Sequence, residues 1–227
     1  MNNLQDLFIA RDIVPVFDYT INEDAKAALL KIFTTPLGSI AAIAERQHIL
    51  KALLADEDLA VAHQYRKVDY VDVQRFLIYF SQDELMKIDY LTYLFQQQKN
   101  NVLYGHYSQL IYFFNNLEDT IKDHINLASL PKGYQEEIRF LLNYLNDFKL
   151  STLKVDISKQ KFGYASVQML NKLVLEKRKN GDTLLFFSKL SLLESYISIC
   201  KAITKMKFNF VAVEATDFAL SGMYHPL

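Results

Sequence analysis

The residues that could do chemistry are few and dispersed. The five histidines, His48, His63, His106, His124 and His225, form no His-Glu-x-x-His pair and no other close metal-ligand spacing. They read as structural or solvated residues. Cys200 falls on an apolar helical face with only lysines nearby in sequence, the setting of a buried, inert thiol. A single cysteine also excludes an internal disulfide framework and a cysteine-rich zinc site. The acidic runs Asp56-Glu57-Asp58 and Glu136-Glu137 stand at helix starts, where carboxylates offset the helix dipole. The six glycines are scattered singly at turns, so there is no phosphate-cradling loop. The run Lys172, Glu176-Lys177-Arg178-Lys179 and the set Lys201, Lys205, Lys207 read either as phosphate contacts or as solvated helix surface. Arg46 and Arg75 lie beside apolar helical faces, where an arginine can pair with a carboxylate and fix two helices together. No catalytic, cofactor-binding or metal-binding residue is assigned on these grounds.

The elements that would position these residues are helices. Hydrophobic residues make up 51% of the 227 and charged residues 22%, which excludes a disordered or low-complexity chain. Only six Gly and four Pro accompany abundant Leu, Ile and Phe, as expected of helices joined by short turns. The net charge of -1 provides no global field toward nucleic acid or anionic lipid. The N-terminal residues lack the basic start, apolar core and cleavage site of a signal peptide. The apolar stretches fall short of the roughly 18 residues of a membrane span, so a cytoplasmic protein with no membrane partner is expected.

Residues 12–20 read as extended, with Pro15 breaking any helix. A helix capped by Asn22 follows to Phe33, stopped by Thr34-Thr35-Pro36-Leu37-Gly38. Ser39 caps the next helix, through Ile43, Leu50 and Leu54, and Asp56 caps another toward Tyr65. Asp69 to Phe80 is helical, and Ser81 with Glu84 forms a capping box for a helix through Leu85 and Phe95 that frays over 96–101. The clearest stripe is Leu103, Tyr107, Leu110, Ile111, Phe114, Leu117, Ile121 and Ile125. Further helices cover 134–148, 164–179 and, capped by Asp182, 182–206, the last lined by Leu185, Phe186, Leu190, Leu193, Ile197, Cys200 and Ile203. Residues 150–161 leave helix or short strand open, because Thr152, Val155 and Ile157 are β-branched. Phe210 to Val213 reads as a short strand near the C-terminus. The aromatic pairs Phe113-Phe114 and Phe186-Phe187 read as core packing.

Four pieces, in order, carry a family resemblance. Leu29-Leu30, Pro36-Leu37, Ile43, Arg46 and Ile49-Leu50 form the first, a helix ending at Pro-Leu followed by a helix with a spaced Ile and Arg. Asp72-Val73-Gln74-Arg75-Phe76 is the second, similar to an Asp-Leu-Glu-Arg-Leu run. Leu190 to Phe210 is the third, with Glu194 near a usual aspartate. Gly222-Met223-Tyr224-His225-Pro226-Leu227 is the fourth, similar to a short His-Pro motif. The chain thereby resembles the core and lever region of MutS-type DNA mismatch repair ATPases, in a divergent MutS-like form.

That resemblance implies an all-α, elongated multi-helix core and lever domain over residues 1–227, with the DNA clamp reduced or absent. It implies a non-catalytic segment that couples ATP binding and hydrolysis in an ATPase domain, expected to follow residue 227, to DNA binding. No cofactor is expected in this segment; ATP and Mg belong to the intact protein. The intact protein is expected to be a homodimer that contacts DNA, with weak or no DNA binding by this segment. Arg46 and Arg75 become candidate core salt bridges, and His225 and Pro226 structural residues at the junction. A helical scaffold or protein-interaction module unrelated to DNA repair is the alternative, favoured by an apolar groove away from the C-terminus. A helical enzyme is a third class.

Overall fold

The computed structural model describes residues 8–80 and 97–211, and all regular structure among them is helical. A π-helical turn, Ile9–Ile13, runs into α1 (Val14–Phe17). Then come α2 (Glu23–Thr34), α3 (Ile40–Leu54), the single turn α4 (Leu59–Ala62) and α5 (Lys67–Tyr79). The long α6 (Gln97–His124) is followed by a 3-10 turn (Leu127–Ser129), α7 (Lys132–Asn146), α8 (Leu150–Ser158), α9 (Tyr164–Lys179) and α10 (Asp182–Met206).

Local chemistry accounts for many of these boundaries. Asn22 Oδ1 accepts from Ala25 N at 2.9 Å and Ser39 Oγ from Ala42 N at 3.2 Å, so both expected caps form. Asp56 Oδ1 accepts from the amides of Asp58 and Leu59, but the helix it starts lasts one turn instead of reaching Tyr65. Gly181 takes a φ of 80°, the left-handed conformation that lets α9 end and α10 begin one residue later.

Several expectations are corrected. Residues 14–17 are helical because Pro15 sits in the first turn, where its missing N–H has no intrahelical partner to lose. Residues 97–101 belong to α6 and do not fray before it. Residues 150–158 are helix, with Leu150 and Leu153 buried on one face, so packing overrides the β-branched residues. Leu185 is 43% exposed; Phe186 next to it is the buried residue. Phe210 and Val211 carry no strand, and the remainder of that run, the Ser81 capping box with its helix, and the Gly222–Leu227 motif lie outside the described residues.

The chain divides into two compact units, one of Met1–Ala62, His124–Gln135 and Leu190–Leu227, the other of His63–Asp123 and Glu136–Lys189. The first unit is sewn together by a polar stripe on otherwise apolar α10. Ser191, Glu194, Ser195 and Ser198 are all buried, at helical spacing. Ser195 Oγ donates to Ala25 O at 2.8 Å, and Ser198 Oγ donates to Phe17 O at 2.6 Å while accepting from Tyr19 N at 2.7 Å. These bonds tie α10 to backbone groups of residues 17–25.

The second unit has an aromatic core. Within α6, Leu103, Tyr107, Leu110, Ile111, Phe114, Leu117 and Ile121 are buried, as the stripe predicts. Phe114, Tyr144, Phe148 and Phe186 pack ring on ring, with Tyr144 and Phe186 stacked at 4.3 Å. Tyr144 hydroxyl meets Thr183 Oγ1 at 3.2 Å, and Tyr107 hydroxyl donates to Asn171 Oδ1 at 2.5 Å. Burial holds both phenols protonated, far above their ordinary range.

Candidate functional site

In the first unit the polar groups converge at two joints. At one, the carboxylate of Glu194 sits at the N-terminus of α2. It accepts from Ile21 N at 2.5 Å, Asn22 N at 3.3 Å and Asn22 Nδ2 at 2.9 Å. Asn22 is thus both the cap of α2 and a donor to a buried anion, and the anion faces the positive end of the helix dipole. Half-buried Lys201 lies a further two turns along α10; desolvation lowers its pKa and the Glu194 charge opposes that shift.

The other joint follows the Pro36-Leu37 break. Arg46 on α3 donates from Nη1 to Ile32 O at 3.2 Å, satisfying a carbonyl near the end of α2. It also hydrogen-bonds Tyr196 of α10 and opposes the rise that burial causes in that phenol's pKa. Tyr196 in turn packs edge-on against Tyr134 at 5.4 Å. Arg46 therefore fixes helices together, as expected, but through a carbonyl and a phenol in place of a carboxylate. A groove of about 700 Å³ opens beside it, lined by Phe17, Phe33, Leu37, Leu50, Ile203 and Phe208 among others. Its lining is apolar apart from Arg46, Thr35 and Asn209, and it lies against the end of α10.

In the second unit the main polar device is Arg178. Its guanidinium donates to three carbonyls at the end of α5: Phe76 O at 2.5 Å, Phe80 O at 2.6 Å, and Leu77 O. An arginine fork that satisfies last-turn carbonyls and sits at the negative end of the dipole is a C-terminal cap supplied from another helix. Lys177 bridges Asp147 at 2.5 Å and Asp182 at 3.7 Å. The charged end of α9 is therefore partly structural; reading it as solvated surface misses both residues. Arg75 is exposed and joins no ion pair among the described residues, so the expected second salt bridge is not formed there.

The histidines are not brought together. His63 is buried, His48 is exposed, His106 stacks on Phe76 at 5.0 Å, and His124 Nδ1 lies 3.1 Å from Asp56 Oδ2. His225 lies outside the described residues. Among the described residues no group of three His, Cys, Asp or Glu is placed to hold a metal. Cys200 is buried with Sγ 3.7 Å from Leu50 O, and burial pushes its thiol up to about 12. Among the described residues one helix, α10, is long and apolar enough to cross a membrane, contrary to the expectation of none. Its apolar window is 72% buried inside the protein and includes the Glu194 network, the environment of a core helix.

What this arrangement does is hold helices at fixed angles. The buried polar side chains described above, Glu194, Ser195, Ser198 and Tyr107 among them, end on backbone atoms and on one another. No protein-family model, curated protein or solved structure matches the chain.

Proposed function

We propose that this chain is the non-catalytic helical core and lever of a MutS-like DNA mismatch repair protein. In this role it couples ATP binding and hydrolysis in an ATPase domain of the same protein to DNA binding. The observation that carries the reading is the joint after Pro36-Leu37. There the residues that bear the resemblance, Pro36, Leu37, Ile43 and Arg46, line one groove, and Arg46 ties α2 to α3 and reaches α10. A rigid joint of this kind suits a part that must transmit a tilt without absorbing it. The lengths of α6 and α10, 28 and 25 residues, support the same role, giving rods of roughly 42 and 37 Å at 1.5 Å per residue.

In this reading the groups that bind ATP and Mg lie outside the present sequence, the intact protein is a cytoplasmic homodimer, and DNA is its partner. The test is ATP hydrolysis by the natural protein, with its reading frame followed past Leu227. A strand and glycine-rich phosphate loop, with Mg-dependent ATPase activity lost on replacing the loop lysine, is the expected result. A reading frame without such a loop, or an inactive full-length protein, overturns the proposal.

A further inference from the structure

The overall charge of -1 hides a strong local asymmetry. From Lys149 to Lys179 the chain carries eight Lys and Arg against two acids, Asp156 and Glu176. This segment is α8, the turn after it and α9, all within the second unit. Two of the eight, Lys177 and Arg178, are held by the contacts already described. The other six, Lys149, Lys154, Lys159, Lys161, Lys172 and Lys179, are exposed. Among the described residues none of these six joins an ion pair or lies over an aromatic ring. Elsewhere Lys26, Lys122 and Lys189 are paired with Asp18, Glu118 and Glu137.

Four of the lysines, Lys149 to Lys161, bracket α8, whose nine residues span roughly 14 Å. Lys172 and Lys179 are seven residues apart, hence on one face of α9. Exposed hydroxyls of Ser151, Thr152 and Ser158 lie between the charges, and such groups commonly contact phosphate oxygens.

The composition of the patch selects among polyanions. Val155 is the one large apolar residue exposed between 149 and 179, so there is no apolar face to sink into a bilayer. No Phe, Tyr or Trp is exposed there either, so unstacked bases have no platform, as a single strand would require. Charge and hydroxyls without aromatic or apolar anchors fit the backbone of a duplex.

We infer that α8, the turn after it and α9 form a sequence-independent docking surface for the phosphate backbone of double-stranded DNA. The inference rests on the MutS-like reading for its biological setting and on the charge distribution for its location. It departs from the expectation, drawn from net charge and a reduced or absent clamp, that DNA binding by this segment is weak or none.

The test is fluorescence anisotropy with a labelled 30-base-pair duplex, repeated from about 50 to 200 mM salt. The wild-type chain should bind at the low end and weaken steeply with salt. The triple reversal K154E/K159E/K161E should lose at least tenfold in affinity at about 50 mM salt. It should also reduce the slope of log K against log salt by about three. The reversal K31E/K132E/K207E, of equal charge on exposed lysines of the first unit, should lose less than threefold. Equal losses for the two triples, or no wild-type binding at 50 mM salt, overturn the inference. So does tighter binding to vesicles containing 30% phosphatidylserine than to the duplex. If the duplex binds through this surface but the full-length protein lacks ATPase activity, the family reading fails and the surface stands. If the ATPase is present and the patch reversal is silent, the surface alone fails.

Discussion

Glu194 and Asn22, 172 residues apart in sequence, are joined by two hydrogen bonds: Asn22 donates to the buried carboxylate through both its backbone N and its Nδ2. Ile21 N donates to the same carboxylate, so one anion organises the entry to α2. Removing it takes the carboxylate away from three donors, Ile21 N, Asn22 N and Asn22 Nδ2. Hydrogen bonds to charged groups contribute about 1.5–3 kcal/mol each, and unsatisfied buried donors cost a similar amount. Glu194→Ala should therefore destabilise the chain by about 3–5 kcal/mol in urea unfolding. Glu194→Gln, which keeps one acceptor oxygen, should cost roughly half as much. If Glu194→Ala lowered stability by less than about 1 kcal/mol, the network would not be what holds α2.

Arg178 supplies a cap that α5 does not supply for itself, since no side chain of α5 reaches its own terminal carbonyls among the bonds described. Arg178→Ala should cost about 2–4 kcal/mol, from three lost charge-assisted bonds and a dipole left uncompensated. Arg178→Lys should recover less than half, because an ammonium cannot present donors in a planar fork. Denaturant midpoints rank the three proteins. A lysine variant as stable as the wild type would show that charge, not fork geometry, matters.

Arg46 and Arg75 look equivalent in sequence, each beside an apolar helical face, and the structure separates them. Arg46 is half-buried and bonded to Ile32 O; Arg75 is exposed. Arg46→Ala should cost about 1–2 kcal/mol, since it frees one carbonyl and one phenol. Arg75→Ala should stay within about 0.5 kcal/mol, as surface substitutions do. Thermal unfolding of the two variants side by side decides it, and equal losses would contradict the placement of Arg46.

These pairs show what periodicity can and cannot reveal. The bounds of α9 and α10 were legible because Asn180-Gly181-Asp182 is a stop, a left-handed turn and a start in three residues. The α6 stripe was legible because every third or fourth residue is apolar and turns out buried. The partners of Glu194 and Arg178 were not, because they lie 172 and about 100 residues away and are partly backbone atoms, which no residue pattern encodes. Residues 150–158 were ambiguous locally, since Thr152, Val155 and Ile157 favour strand while Leu150 and Leu153 are buried on one helical face. The concentration of lysines from 149 to 179 is legible in the sequence, but which of them are exposed and which, like Lys177 and Arg178, are held by contacts is not.

Cys200 gives a pH signature. Burial raises its folded pKa to about 12, whereas a thiol in an unfolded chain ionises near about 8.5. Above pH ~8.5 the unfolded chain releases a proton that the folded chain keeps, so stability falls as pH rises. The stabilisation is fully present below the unfolded value and is lost as pH rises toward the folded one. The full slope is about 1.4 kcal/mol per pH unit. Tyr107, Tyr144 and Tyr196 act in the same direction from near about 10, and Lys201, with its lowered pKa, acts in the opposite one, so the comparison with Cys200→Ala is what isolates the thiol. Cys200→Ala should lower stability at pH 7 by about 1 kcal/mol, through lost packing, and should flatten the decline between pH 7.5 and 9.5. In the wild type a thiol reagent should not modify Cys200 at pH 8 until urea is added. Native-state modification within minutes, or an unchanged alkaline decline in Cys200→Ala, would mean that the sulfur is neither buried nor held protonated by its surroundings.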